Sequence, residues 1–117
     1  MTATAVGYDV QRLREIIEAA KQKFDGTALP PHRDIDQFVP LLERCIRTML
    51  PYAHVRADQL AAESRAGKDC QRAIERVGHL RAGGPGSGLV SATAYASNLA
   101  HCLGELLELA ERALELK

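Results

Sequence analysis

Val90 to Leu116 reads VSATAYASNLAHCLGELLELAERALEL, and the spacing of its apolar residues decides the fold class. Ala92, Ala96, Leu99, Leu103, Leu106, Ala110 and Ala113 recur every three or four positions. That period lays them along one stripe of an α-helix, whereas a strand would alternate. The two halves of this helix differ. Val90 to Gly104 holds no Asp, Glu, Lys or Arg, while Glu105, Glu108, Glu111 and Glu115 stand beside Arg112 and Lys117 in the second half. The first half is therefore expected to be covered on several sides, the second on one. This predicts a central helix with Leu99 and Leu103 fully buried.

Gly83-Gly84-Pro85-Gly86-Ser87-Gly88, just upstream, is the strongest punctuation in the chain and predicts a loop. A phosphate-cradling P-loop needs GxxxxGK[ST] after a strand. With no lysine and no strand, this loop reads as a connection between helices, with weak anion attraction at the following helix N-terminus.

Three further helical segments precede it. Val10, Leu13, Ile16, Ile17, Ala20 and Phe24 form a stripe from Asp9 to about Phe24, closed by Gly26 as a left-handed cap. Pro30-Pro31 marks a loop from Thr27 to Arg33. Asp34 and Gln37 have capping-box spacing and open a second helix. It passes Pro40 and carries Leu42, Ile46 and Met49 to Pro51. There an interior proline, costing roughly 3 kcal/mol, predicts a kink or a break. Ala53, Ala57, Leu60, Ser64, Gly67, Ile74 and Val77 continue the seam in phase, which predicts a third segment from Tyr52 to about Leu80. Met1 to Tyr8 is expected to be unstructured. Together these features predict one all-α domain over residues 1–117. It is a bundle of four helical segments in two antiparallel hairpins, with the kink or break at Pro51.

Composition excludes several functions. Fifteen basic residues balance fifteen acidic ones, so the chain lacks the cationic excess that nucleic acid or a membrane surface requires. Aromatic residues are only 4%, with no Trp, which removes the usual stacking platforms for single strands. No apolar run is long enough to cross a bilayer, and Met1 to Tyr8 has no basic run and no apolar h-region, so no signal peptide is expected. Cys45, Cys70 and Cys102 are odd in number, scattered and without a CxxC, so reduced thiols in the cytoplasm are expected.

Chemistry-bearing residues are present but ungathered. His32, His54, His79 and His101 offer no close ligand pair with the cysteines, and His101 and Cys102 point about 100° apart on a helix. No metal and no cofactor are expected. Asp69, Glu75 and Glu63, or a Cys–His pair, have nothing that places them together, so no catalytic residue is assigned and no enzyme is expected. Arg65, Lys68, Arg72, Arg76 and Arg81 alternate with Glu63, Asp69 and Glu75, as on an ordinary mixed helix surface.

The run Ile74-Glu75-Arg76, Leu80, Gly84-Pro85-Gly86-Ser87-Gly88-Leu89-Val90-Ser91-Ala92 and Leu99-Ala100-His101-Cys102 has Met49-Leu50-Pro51 upstream of it. It resembles a family of small helical actinobacterial proteins of unknown function, common in Streptomyces. The likeness covers about Leu41 to Leu107, and Gly-Pro-Gly-x-Gly-Leu-x-Ser-Ala is its most specific block. Ala100-His101 stands where that family tends to have a charged pair, and the Trp often found in its middle helix is missing. The resemblance implies an actinobacterial cytoplasmic protein and supplies no activity or site residue.

What remains favours a non-enzymatic protein-interaction or regulatory module. The alternative is a small-molecule binder with its ligand in the core beside Ser64, Gly67, Ala92 and Ala96. The expected lengths are about 25 Å for the first two segments and about 42 Å for the last two. The longer pair would be left partly uncovered, which predicts a homodimer through the C-terminal helix, with Glu105, Glu108 and Glu111 facing basic residues of the other copy.

Overall fold

The computed structural model describes residues 8–25 and 28–115, with side chains as far as Arg112. They form four α-helices: α1 Val10–Lys23, α2 His32–Asp58, α3 Arg65–Gly83 and α4 Leu89–Glu115. No strand occurs among the described residues.

The ends of α1 follow from local chemistry. The Asp9 carboxylate accepts from the Arg12 backbone N–H at 3.0 Å, satisfying one of the donors that a helix start leaves open. The Phe24 N–H closes the other end on the Ala20 carbonyl. The expected cap Gly26 lies outside the described residues. Leu13, Ile16, Ile17 and Ala20 are buried, as their stripe predicts. Phe24 meets Phe38 of α2 edge to face at 5.5 Å. Tyr8 corrects one expectation: it is buried and meets Tyr52 edge to face at 4.7 Å rather than being unstructured. Residues 1–7 lie outside the described residues.

The second helix departs further from its sequence reading. It starts at His32, its cap residue Pro31 offers no side chain, and Asp34 is in the first turn, 3.3 Å from Lys23 Nζ. The expected capping box is absent. The helix runs for 27 residues through both Pro40 and Pro51. Eleven residues apart, these prolines share one face of the helix, and both are exposed. The carbonyls that lose their helical donor, those of Asp36 and Arg47, belong to exposed residues too. On the opposite face Ile35, Leu42, Ile46 and Met49 are buried, worth roughly 1.5–3 kcal/mol each, which outweighs two proline penalties of about 3 kcal/mol.

The chain breaks after Asp58 instead. The Gln59 N–H bonds back to Val55 and Arg56, and Ser64 restarts the helix. Ser64 Oγ accepts from the Gly67 N–H at 3.0 Å and donates to the Ala61 carbonyl at 2.7 Å. The expected 28-residue third segment is thus divided between α2, a turn and α3.

Directions follow from the cross-contacts. Glu43 of α2 meets Tyr95 of α4, and Arg56 lies by Leu109 and Arg112, so α2 and α4 run parallel. Arg14 of α1 meets Glu111, and Lys21 lies near Asn98, so α1 is antiparallel to α4. Arg76 of α3 reaches Glu105, while Asp69 lies near Arg112, so α3 is antiparallel as well. The bundle is up-down-up-down, with α4 packed against all three other helices and α2 its most extensive neighbour. Tyr95, Ala96, Leu99, Ala100, Leu103, Leu106 and Ala110 form its buried face, Leu99 and Leu103 having no exposed surface at all.

This arrangement removes the reasons given for self-association. The two 27-residue helices lie side by side, so no overhanging pair is left bare. Leu106, Leu107 and Ala110 are covered within one chain. Glu105 pairs with Arg76, Glu108 with Arg112 and Glu111 with Arg14 of the same chain. The side chains of Ala113, Leu114 and Leu116 lie outside the described residues.

Tyr95 ties α4 to α2 by donating its hydroxyl to Glu43 Oε2 at 2.7 Å. Burial first, then the hydrogen bond and charge of Glu43, push its phenol up to about 12, with Arg81 opposing. The folded-state value lies above the ordinary 10.0, so the stability involved is complete below that pH and is lost as pH rises through about 12. Tyr95→Phe is expected to cost about 1–2 kcal/mol at neutral pH and to flatten the alkaline loss. Urea unfolding followed from neutral pH into that alkaline range checks both.

Candidate functional site

Helices α1 and α3 flank α4 but make little contact with each other, and a cleft of about 590 Å³ opens between them. Its floor is the stripe Asn98, His101, Glu105 and Glu108, spaced three, four and three residues apart on α4. Lys21 forms one wall, Arg76 and Leu80 the other. The Arg76 guanidinium holds the Glu105 carboxylate at 2.6 and 2.7 Å across the α3–α4 boundary. About half exposed on both sides, this pair is worth at most about 1 kcal/mol and serves to orient more than to stabilise. The floor stays open because residues 90–104 supply His101 and Asn98 but no long charged side chain to roof it.

The remaining candidates are scattered. His32, His54, His79 and His101 are exposed at four separate places. Among the described residues no three His, Cys, Asp or Glu side chains come close enough to hold a metal. Glu63 and Asp69 share a shallow surface hollow with Arg65, Lys68 and Arg72; Glu75 lies outside it. Ser64 and Gly67 are used at the α3 start, Ala96 is in the core, and none of the four small residues, Ala92 included, lines the cleft. The glycine loop turns α3 into α4, with Gly84, Gly86 and Gly88 at φ 69°, 70° and 91°, which only glycine adopts readily.

All three cysteines are free. Burial, the largest cause in each case, pushes their thiols up. Arg44 and Arg12 pull Cys45 back, Arg56 pulls Cys70 back, and at Cys102 Glu105 adds to the rise while Arg76 opposes it. A raised thiol is protonated at neutral pH and is a poor nucleophile. Cys45 is only half-buried, while Cys70 and Cys102 are buried. Cys70 and Cys102 are therefore expected to resist iodoacetamide in the native protein and to react once it is unfolded. EDTA or a reductant should leave Tm unchanged; a clear fall with EDTA would show a metal site.

Residues 11–115 match the family of unknown function DUF6415. The chain belongs to this family. The match runs from α1 to the end of α4, so the DUF6415 unit takes in all four helices, beyond the Leu41–Leu107 span of the likeness read from the sequence. No curated protein and no solved structure matches this DUF6415 chain. No helix among its described residues is long and apolar enough to cross a membrane.

Lys21 and Asn98, which frame the cleft, carry no signal in the sequence. Lys21 reads as an off-stripe surface lysine and Asn98 as a polar break in an apolar run. Their meaning depends on which two helices flank α4, and periodicity within a helix is silent on that.

Proposed function

We propose that this chain is a non-enzymatic protein-interaction module of an actinobacterial cytoplasm, and that the cleft between α1 and α3 receives one helix of a partner protein. The open floor of α4 is the observation that carries this reading. Asn98 to Glu108 spans about 15 Å, three turns of a docked helix. Lys21 on one wall and Glu108 on the floor offer both signs of charge, which fixes the register of such a helix more than its affinity. Free, protonated thiols agree with a reducing compartment. A second copy of the chain is the competing occupant, since α4 has this one long uncovered stripe to offer it. The alternative of a ligand in the core beside Ser64, Gly67, Ala92 and Ala96 has less support, because those positions are filled by backbone and neighbouring side chains.

The test is capture from an actinobacterial lysate with three baits. Asn98→Trp fills the cleft from an exposed position, and Arg47→Trp puts the same bulk on the exposed face of α2. A protein held by the wild type and by Arg47→Trp but lost by Asn98→Trp supports the reading. Equal retention by all three, or no specific partner, overturns it.

A further inference from the structure

Where α2, α3 and α4 meet, a second cavity of about 280 Å³ is lined by Arg56, Asp69, Cys70, Glu105, Glu108 and Arg112, among others. Arg56 differs from every other charged group there. Asp69 is 3.6 Å from Arg72, Glu105 is held by Arg76, and Glu108 lies 3.9 Å from Arg112. Arg56 Nε and Nη1 are buried and have no hydrogen-bond partner among the described residues. A guanidinium is always charged and its N–H groups are donors only, so they call for acceptors, and leaving them unmatched away from water is costly. Its cation is also felt by the neighbouring Cys70 thiol, which places the group at the cavity wall. Since a water molecule takes roughly 30 Å³, the space admits a group of several heavy atoms.

We infer that this cavity is an oxyanion site, in which Arg56 binds the phosphate or carboxylate group of a small ligand. Each carboxylate around it has another arginine within 4 Å, whereas Arg56 has no carboxylate partner among the described residues. Nε and Nη1 lie on different edges of the guanidinium, so one oxyanion takes either edge together with Nη2 in a two-bond fork, and the remaining N–H is left to water or to another oxygen of the ligand. The cavity shares Glu105 and Glu108 with the cleft proposed for a partner helix, but Arg56 lines the cavity alone, so the inference does not rest on that reading.

Thermal unfolding of the wild type and of Arg56→Met is compared at constant ionic strength, with chloride replaced by inorganic phosphate in one arm and by acetate in the other. Phosphate at about ten times its Kd is expected to raise the wild-type Tm by about 5 °C. Arg56→Met should be at least as stable in chloride and should lose that rise. A response to acetate as well assigns the site to carboxylates in addition to phosphates. Equal responses of both proteins would reflect the general stabilising action of phosphate and overturn the proposal. So would no response, or an Arg56→Met protein that is less stable in chloride and equally unresponsive, which would mean that Arg56 is satisfied by the protein or its water. Should the variant not fold, the assigned Arg56 Nε–H resonance of the wild type decides: a saturable shift with phosphate supports the site, and its absence overturns it.

Discussion

Leu99→Ala is expected to lower the free energy of unfolding by about 3–5 kcal/mol, the upper part of the range for truncating a core leucine. Leu99 has no exposed surface and sits mid-way along the helix that touches all three others. Three rigid neighbours cannot all move inward to fill the space of the lost atoms, so the cavity term stays with the transfer term. For a domain whose total stability is of order 5–15 kcal/mol this is a large fraction. Urea denaturation with an unchanged m-value measures it, and a loss under about 0.5 kcal/mol would show that this face of α4 is not buried.

The second large effect has the sign opposite to helix propensity. Replacing a helical glycine by alanine ordinarily gains about 1 kcal/mol. At Gly78 of α3 nothing lies within 4 Å of where a Cβ would stand, so Gly78→Ala should show that gain. At Gly67, in the first turn of the same helix, a Cβ would collide with the Ala61 carbonyl oxygen, with Ser64 Oγ also 3.1 Å away. That oxygen accepts the Ser64 hydroxyl, and the same hydroxyl caps α3, so it cannot retreat without undoing the turn. Gly67→Ala is expected to cost about 2–3 kcal/mol. Chemical denaturation of the two variants side by side tests the pair. A neutral or stabilising Gly67→Ala would mean that the chain does not reverse between Gln59 and Ser64.

That reversal also shows where the sequence was readable. The long apolar stripes of α1 and α4 have one interpretation, because Leu and Ile at three-and-four spacing have no competing local use. That stripe, together with the absence of charge from Val90 to Gly104, places Leu99 and Leu103 in the core. Ala53, Ala57, Ser64 and Gly67 keep the same spacing, but small residues also suit a turn, a cap or a close backbone approach. Ser64 read as a seam residue is in fact the N-cap of α3, and its hydroxyl was the signal for a boundary there. Pro51 misled in the other direction. Its local penalty is real, yet it falls with Pro40 on the exposed side of α2, where the orphaned carbonyls reach water, and only the positions of the other helices show which side that is.

The candidate sites were less legible for a related reason. The cleft is made by the distance between α1 and α3, and Arg56 reads in the sequence as one more arginine near a helix end. Its buried, unmatched nitrogens arise from the packing of α2, α3 and α4 around it. DUF6415 membership covers nearly the whole chain, residues 11–115, without adding a function.

The central structural claim is that one chain closes its own core around α4 and leaves the α1–α3 cleft free for another protein. Light scattering at micromolar concentration tests it most directly. A mass near the 12.8 kDa of a single chain is predicted. A mass near twice the 12.8 kDa chain would contradict it, and would assign the open stripe of α4 to a second copy.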